Sequence, residues 1–186
     1  CGSVLHTRPS GLHGSREPLQ FGAELFGHAG LEADLEIQEL AIDCLARAGL
    51  DGLVMDLADA RVLEGLLCAV KADAPKLQRI QEALAAKDAP TLAELTADLP
   101  VEVRDGLRAL PDLYGGDEVL AQARERLPRQ PAISAALDDL TWLAQQLRTS
   151  HPGLRVGFDL ADLSGYAYYS GARFALYAPG GRDTLA

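Results

Sequence analysis

The sequence is poor in aromatic residues, in cysteine and in long apolar runs. Phe, Trp and Tyr make up 5% of the 186 residues, whereas Ala and Leu are abundant, so we expect a largely helical core. The three cysteines, Cys1, Cys44 and Cys68, lack the spacing of metal ligands, and we interpret them as structural thiols of a reducing cytosol. No apolar run approaches the about 18 residues of a membrane helix, and no signal peptide is visible.

Basic residues are also scarce. Seventeen Lys and Arg against 27 Asp and Glu give a formal net charge of −10. Nucleic-acid affinity depends largely on the neutralisation of phosphates by Lys and Arg, so this balance argues against a nucleic-acid partner. The sequence contains no phosphate-binding Gly-rich loop, no Gly-x-Ser-x-Gly and no His-Glu-x-x-His. Its four histidines are scattered, and we expect neither a metal site nor a cofactor.

Hydrophobic periodicity predicts an α+β domain. The expected elements are strands at 3–7, 18–26, 52–57, 154–160 and 166–178, with helices at 31–48, 60–70 and 132–149. Between them, prolines separate short amphipathic segments, which predict a small helical insertion without strands. We expect an antiparallel sheet packed on the two long helices.

The predicted domain organisation has three parts. Residues 1–70 and 129–186 would form the two parts of the core, and residues 71–128 the helical insertion. The chain begins at Cys1 without Met and stops just after a Pro179-Gly180-Gly181 turn, so we expect it to be truncated at both ends.

The predicted strand at 18–26 has two unlike faces. Gln20 and Glu24 share its polar face, which is either the floor of a pocket or a solvated surface; spacing alone leaves both open. With Tyr168 and Tyr169 of the last strand, they would offer an amide, a carboxylate and two phenols to a small polar zwitterion. The alternative is ordinary polar residues of a sheet beside core tyrosines.

Two segments carry a resemblance to a known family. Residues 2–9 and 16–27 resemble motif 2 of class II histidyl-tRNA synthetases, and residues 158–171 resemble the histidine-specific motif of that family. The resemblance implies a class II aminoacyl-tRNA synthetase-like fold. It also implies that Gln20, Glu24, Tyr168 and Tyr169 bind histidine, with Arg16 as a further pocket contact.

The sequence departs from the synthetase pattern where cations are needed. The Arg and the Glu at the end of the first motif 2 strand correspond to His6 and Arg8, and the second Arg, in the loop, to Gly14. The Arg that begins the histidine-specific motif corresponds to Ser164. Adenylation needs cations against developing phosphate charge, so these changes should cost many powers of ten in rate.

A protein that keeps the amino-acid pocket but lacks the catalytic arginines resembles the synthetase-like regulatory subunits of ATP phosphoribosyltransferase. This resemblance implies a non-catalytic cytoplasmic protein, with a role in the first step of histidine biosynthesis and L-histidine as feedback effector. It implies assembly with the short-form catalytic subunit and a homodimer of the chain itself, with no nucleic acid and no membrane. The alternatives are a divergent histidine-tRNA ligase and a synthetase-like scaffold whose pocket binds nothing.

Overall fold

A computed structural model describes residues 1–7, 15–68, 70, 73–162, 170–181 and 184–186. The strands in these ranges are β1 (Gly2–Ser3), β2 (Leu19–Gln20), β3 (Val54–Asp59), β4 (Tyr114–Gly115), β5 (Arg155–Asp159) and β6 (Ala172–Tyr177). The helices are α1 (Leu31–Arg47), α2 (Ala60–Leu67), α3 (Ala74–Ala85), α4 (Ala89–Leu95), α5 (Val101–Ala109), α6 (Glu118–Arg126) and α7 (Pro131–Ser150), and a 3-10 turn spans Leu110–Asp112. The predicted α+β class is confirmed.

The main sheet is mixed, with strand order β4-β5-β3-β6. β3 pairs antiparallel with β6, and β4 antiparallel with β5, but β3 and β5 run parallel, which corrects the expectation of a purely antiparallel sheet. The chain crosses from β3 to β5 through all the helices from α2 to α7, and a connection of that length can return a strand in the parallel direction.

The two faces of this sheet differ sharply. Met55, Leu57 and Leu176 are fully buried on the face that meets the helices, and α7 packs against β3, β5 and β6. Strand residues alternate between faces, so Asp56 and its neighbours in register, Gly157 and Ala175, lie on the other face. This second face carries most of the charged groups of the sheet.

The two long helices match their predictions closely. The helices expected at 31–48 and 132–149 are α1 and α7. Gly49 follows α1 with a φ of 86°, a left-handed conformation that glycine adopts without strain. Both helices contribute to one buried cluster that also contains Ile80, Leu92 and Leu107 of α3, α4 and α5.

The helices within 73–128 also form as predicted. Asp73 caps α3 by accepting the Lys76 N–H at 3.0 Å, and Asp88 caps α4 by accepting the Thr91 N–H at 3.1 Å. The prediction that no strand occurs here is wrong, because β4 lies between α5 and α6 and adds to the edge of β5. The division of the chain into a core and an insertion stays a prediction.

The last strand forms part of a hairpin. β6 begins at Ala172, whereas the strand was predicted to begin at 166, and residues 166–169 of that prediction lie outside the described ranges. After the turn at Pro179-Gly180-Gly181 the chain returns to β6. There, the Leu176 N–H donates to the Ala186 carbonyl and the Leu185 N–H donates to the Leu176 carbonyl, both at 2.7 Å.

The first two strands form a small sheet of their own. Gly2 pairs with Gln20 and Ser3 with Leu19 in the predicted antiparallel sense, and the Val4 N–H donates to the Pro18 carbonyl at 3.0 Å. The prediction of a strand through residue 26 is wrong, because β2 ends at Gln20. The face expected to be buried is exposed, with Leu19 at 75% and Phe21 at 60% of their full accessibility.

Candidate functional site

Gln20 lies at the end of β2 and lines a cleft of about 500 Å³. The cleft lies between residues 19–23, α1, Phe174 of β6 and residues 185–186. Gln20 supplies an exposed side-chain amide, and the other side chains of the cleft are apolar except for the Cys44 thiol. They are Leu19, Phe21, Ala23, Ile37, Leu40, Ala41, Leu45, Phe174, Leu185 and Ala186. The cleft thus combines one amide with apolar walls, which suits a ligand that is only partly polar.

Glu24 lies outside this cleft. It is exposed and belongs to the irregular segment that follows β2. The prediction that Gln20 and Glu24 share one face of a strand is therefore wrong, because the strand has ended before Glu24. Their role as histidine contacts stays a prediction.

Arg16 closes the hairpin through its backbone. Its carbonyl accepts the His6 N–H at 2.8 Å, while both residues are exposed. Arg16 does not line the cleft that contains Gln20. Its role as a pocket contact stays a prediction, and Arg8 and Gly14 lie outside the described residues.

Tyr168, Tyr169 and Ser164 also lie outside the described residues. The chain is described again from Ser170, and the Gly171 carbonyl accepts the Ala60 N–H at 3.1 Å. The chain that follows the two tyrosines is therefore anchored at the junction of β3 and α2.

Ser170 and Gly171 line a polar recess of about 420 Å³, the Arg61 recess, together with His28, Asp34, Arg61 and Asp139 among others. Arg61 joins two carboxylates there. Its Nε donates to Asp59 Oδ1 at 2.9 Å, and its Nη2 donates to Asp59 Oδ2 at 2.6 Å and to Asp139 Oδ2 at 2.7 Å. These hydrogen bonds, chiefly those with Asp59, raise the pKa of Arg61.

The Arg61 recess favours positive charge. Asp34 is exposed, yet partial burial of its carboxyl group, followed by repulsion from Asp59, raises its pKa, and Arg61 opposes the change. Three carboxylates, those of Asp34, Asp59 and Asp139, thus lie around one guanidinium. A phosphate would meet an unfavourable field in this recess.

A third cavity of about 490 Å³, the Asp56 recess, lies on the charged face of the sheet. Two ion pairs line it: Lys87 Nζ is 2.8 Å from Asp159 Oδ2, and Arg173 Nη1 is 2.9 Å from Asp162 Oδ1. Burial raises the pKa of Asp56, and the charges of Asp159 and Asp162 add to the effect, while Lys87 opposes it.

The part of the chain that the structure describes holds no group of three His, Cys, Asp or Glu residues able to bind a metal ion. None of its helices is both long and apolar enough to cross a bilayer.

The sequence as a whole matches one family. The family model described as histidyl-tRNA synthetase covers residues 1–186. The chain belongs to the histidyl-tRNA synthetase family.

Within this family, the sequence is similar to ATP phosphoribosyltransferase regulatory subunits. It is 55% identical to the one from Variovorax paradoxus over 186 residues, all of this chain and 48% of the relative. It is 54% identical to the one from Albidiferax ferrireducens over 185 residues, 100% of this chain and 47% of the relative. The resemblance to these regulatory subunits is confirmed, and the chain spans about half the length of the curated relatives it matches.

Solved structures share the fold. An ATP phosphoribosyltransferase regulatory subunit/histidyl-tRNA synthetase from Bacillus halodurans has a TM-score of 0.73 at 25% identity, over 86% of this chain and 42% of that one. A chain of the ATP phosphoribosyl transferase (HisG:HisZ) complex from Thermotoga maritima has a TM-score of 0.64 at 17% identity, over 83% of this chain and 54% of that one. The predicted synthetase-like fold is confirmed.

Sequence reasoning missed both charged recesses of this family member. Each joins residues that are far apart in the chain, such as Arg61 with Asp139 and Lys87 with Asp159. One local signal was present: Asp56 alternates with Met55 and Leu57 in a strand, which places its carboxylate on the face away from the core.

Proposed function

We propose that the chain is part of a non-catalytic regulatory subunit of ATP phosphoribosyltransferase. The observation that carries this proposal is the 55% identity, across all 186 residues, to a curated protein of that name. The whole protein would act in the cytoplasm with the short-form catalytic subunit, in the first step of histidine biosynthesis. It would form a homodimer of its own, and L-histidine would be the feedback effector.

The histidine site of this subunit would use the four residues that match the family's pocket. Gln20 and Glu24 would supply an amide and a carboxylate, Tyr168 and Tyr169 their phenols, and Arg16 a further contact. The position of Gln20 at the cleft beside α1 supports its part in this assignment. Histidine can regulate only if it binds the assembled states with unequal affinity.

The second candidate, a histidine-tRNA ligase, is less well supported. The family arginines correspond to His6, Gly14 and Ser164 in this sequence, so the cations that adenylation requires are missing at those positions. The chain's net charge of −10 also disfavours tRNA as a partner.

The proposal can be tested by calorimetric titration of L-histidine into the full-length protein, alone and with its catalytic partner. We expect saturable binding in at least one of the two states. Glu24→Gln should weaken that binding about tenfold or more, because a charge-assisted hydrogen bond contributes roughly 1.5–3 kcal/mol. Glu17→Gln is the matched control, since Glu17 is also an exposed glutamate near β2, and it should bind as the wild type does. Absence of binding in both states would reject histidine as effector.

The ligase alternative has its own assay. A ligase catalyses histidine-dependent exchange of pyrophosphate into ATP, and we expect no exchange above background. Exchange that requires histidine would favour the ligase over the regulatory subunit.

A further inference from the structure

Asp56 brings to the Asp56 recess a carboxylate that no described residue pairs with. It lies within β3, and no hydrogen bond or ion pair joins its side chain to the part of the chain that the structure describes. The other two carboxylates of the recess each have a cation: Asp159 has Lys87 at 2.8 Å, and Asp162 has Arg173 at 2.9 Å. Among the described residues that line the recess, three negative charges therefore face two positive ones, and Asp56 carries the excess.

The neighbours of Asp56 in the sheet leave space beside its carboxylate. Gly157 of β5 and Ala175 of β6 lie opposite Asp56 in the two ladders. A Cβ at Gly157 would lie only 2.9 Å from Asp56 Oδ1. A glycine within a strand often marks a point that a ligand or another backbone approaches closely. The two small residues thus keep the Asp56 carboxylate open to the recess of about 490 Å³.

The missing counter-charge belongs to an organic cation. Burial, followed by repulsion from Asp159 and Asp162, raises the pKa of Asp56, and Lys87 opposes the change. A positive charge placed beside Asp56 would favour its ionised form. The described chain holds no group of three His, Cys, Asp or Glu residues able to bind a metal ion, so an ammonium group matches the recess better than a metal does.

The remaining walls indicate what else such a ligand carries. The apolar lining residues are Ala85, Ala161, Phe174, Ala175 and Ala186. Tyr177 and Thr184 also line the recess and add hydroxyl groups, which can accept further N–H donors of an ammonium group. A volume of about 490 Å³ lies within the roughly 300–1,000 Å³ of small-molecule sites. The recess therefore suits a small molecule with one cationic group and a short apolar part.

We propose that the Asp56 recess binds a small organic molecule through a primary ammonium group, with Asp56 as its carboxylate partner. The ammonium group would donate to the Asp56 carboxylate and supply the one positive charge that the described lining lacks. The apolar part would lie against the alanine residues of the walls. This site uses neither Gln20 nor Glu24 and does not depend on the proposed histidine site.

The experiment uses the full-length protein and three small probes of equal chain length. These are n-butylammonium, the neutral n-butanol and the anionic butyrate, and saturation-transfer NMR measures the affinity of each. Asp56→Asn removes the charge and keeps the shape of the side chain. Asp43→Asn is the matched control, because Asp43 is an exposed aspartate of α1 outside the recess and its substitution changes the net charge equally.

The wild type should bind n-butylammonium saturably and at least tenfold more tightly than n-butanol or butyrate. Asp56→Asn should weaken the binding of n-butylammonium about tenfold or more, because a charge-assisted hydrogen bond is lost. Asp43→Asn should bind as the wild type does. Saturating n-butylammonium should also raise the Tm of the wild type and of Asp43→Asn, but not that of Asp56→Asn, because a ligand stabilises only the protein that binds it.

Several outcomes would overturn the proposal. Equal affinity for the three probes would show that charge does not determine binding, and equal affinity in Asp56→Asn and the wild type would place the ammonium group elsewhere. Equal losses in Asp56→Asn and Asp43→Asn would indicate only a general effect of net charge. Tighter binding of the peptide acetyl-Gly-Lys-Gly-amide than of n-butylammonium would assign the recess to a lysine of a polypeptide instead of a free small molecule. Absence of saturable n-butylammonium binding would reject the ammonium site and leave the histidine proposal untouched.

Discussion

Arg61 and Asp139 join two helices that are far apart in the sequence. Arg61 Nη2 lies 2.7 Å from Asp139 Oδ2, although 78 positions separate the residues. The same guanidinium holds Asp59, whose side chain is fully buried and whose Oδ1 also accepts the Arg61 N–H at the start of α2. One cation therefore connects the end of β3, the first turn of α2 and the middle of α7.

Arg61→Met should lower the free energy of unfolding by about 2–4 kcal/mol, because it leaves the buried Asp59 carboxylate without its cation. Urea unfolding at neutral pH measures the change. The double variant Asp59→Asn with Arg61→Met should recover part of the loss, since the uncompensated charge is then removed as well. Arg124→Met, at an exposed ion pair, should cost less than about 1 kcal/mol. Equal costs for Arg61→Met and Arg124→Met would contradict the role given to Arg61.

Lys87 combines a strained backbone with two side-chain contacts. Its φ is 51°, its Nζ is 2.8 Å from Asp159 Oδ2, and the same nitrogen lies 4.0 Å from the centre of the Tyr114 ring. Lys87→Met should cost about 1 kcal/mol, because it removes a partly exposed ion pair and a cation–π contact.

The matched variant Lys87→Gly separates the backbone from the side chain. Glycine relieves the left-handed conformation, which costs other residues roughly 1–2 kcal/mol, so we expect Lys87→Gly to be at least as stable as Lys87→Met. Thermal unfolding of the two variants makes the comparison. A Lys87→Gly protein much less stable than Lys87→Met would show that backbone strain at this position is small.

The sequence predicted those elements whose signals are local. The helix expected at 31–48 is α1, because its apolar period and the stop at Gly49 lie within the helix itself. The strand expected at 18–26 ends at Gln20, because a strand also needs a partner, and in the described chain the β1–β2 ladder reaches only Gly2 opposite Gln20. Alternation alone could not predict that limit.

The candidate site likewise contains residues that a local sequence signal identifies and residues that only the fold brings together. Gln20 could be selected from the sequence because a family motif contains it. The Asp56 recess could not, because Asp56, Asp159 and Arg173 meet only through the order of strands in the sheet, and Lys87 joins them from the end of α3.

Asp56 should make stability depend on pH. Its pKa lies above the ordinary value of 3.8, chiefly through burial, so folding favours the protonated form, and the ionised form lowers the free energy of unfolding. Asp56→Asn should therefore be more stable than the wild type at neutral pH. This advantage should shrink as the pH falls through the raised pKa towards 3.8. Urea unfolding at several pH values measures the difference, and a constant difference would contradict it.

Asp88 provides a control, because its pKa is shifted in the opposite direction to that of Asp56. Its hydrogen bonds with the Thr91 hydroxyl and N–H lower its pKa, so the ionised form stabilises the folded state, and this contribution is lost as the pH falls through the lowered pKa. Asp88→Asn should be less stable than the wild type at neutral pH, and the deficit should shrink in acid. If the stability of Asp56→Asn and Asp88→Asn, each relative to the wild type, changed with pH in the same direction, burial at Asp56 and hydrogen bonding at Asp88 would both be contradicted as causes.

Gly157 lets Asp56 and β4 approach β5 closely. A Cβ at Gly157 would lie 2.9 Å from Asp56 Oδ1 and 3.0 Å from the Gly115 carbonyl oxygen, both closer than atoms normally pack. Gly157→Ala should therefore lower the free energy of unfolding by about 1–3 kcal/mol, whereas Gly153→Ala, with no atom within 4 Å of the added Cβ, should change it little.

Asp56→Ala removes the side-chain obstacle and leaves the backbone one. In the double variant Asp56→Ala with Gly157→Ala, the cost of the alanine at 157 should fall without disappearing, because the Gly115 carbonyl belongs to β4 and can move only with that strand. Urea unfolding of the two single variants, the double variant and the wild type gives this coupling. If the cost at 157 were the same with and without the Asp56 side chain, the contact with Gly115 alone would set the spacing of β4 and β5.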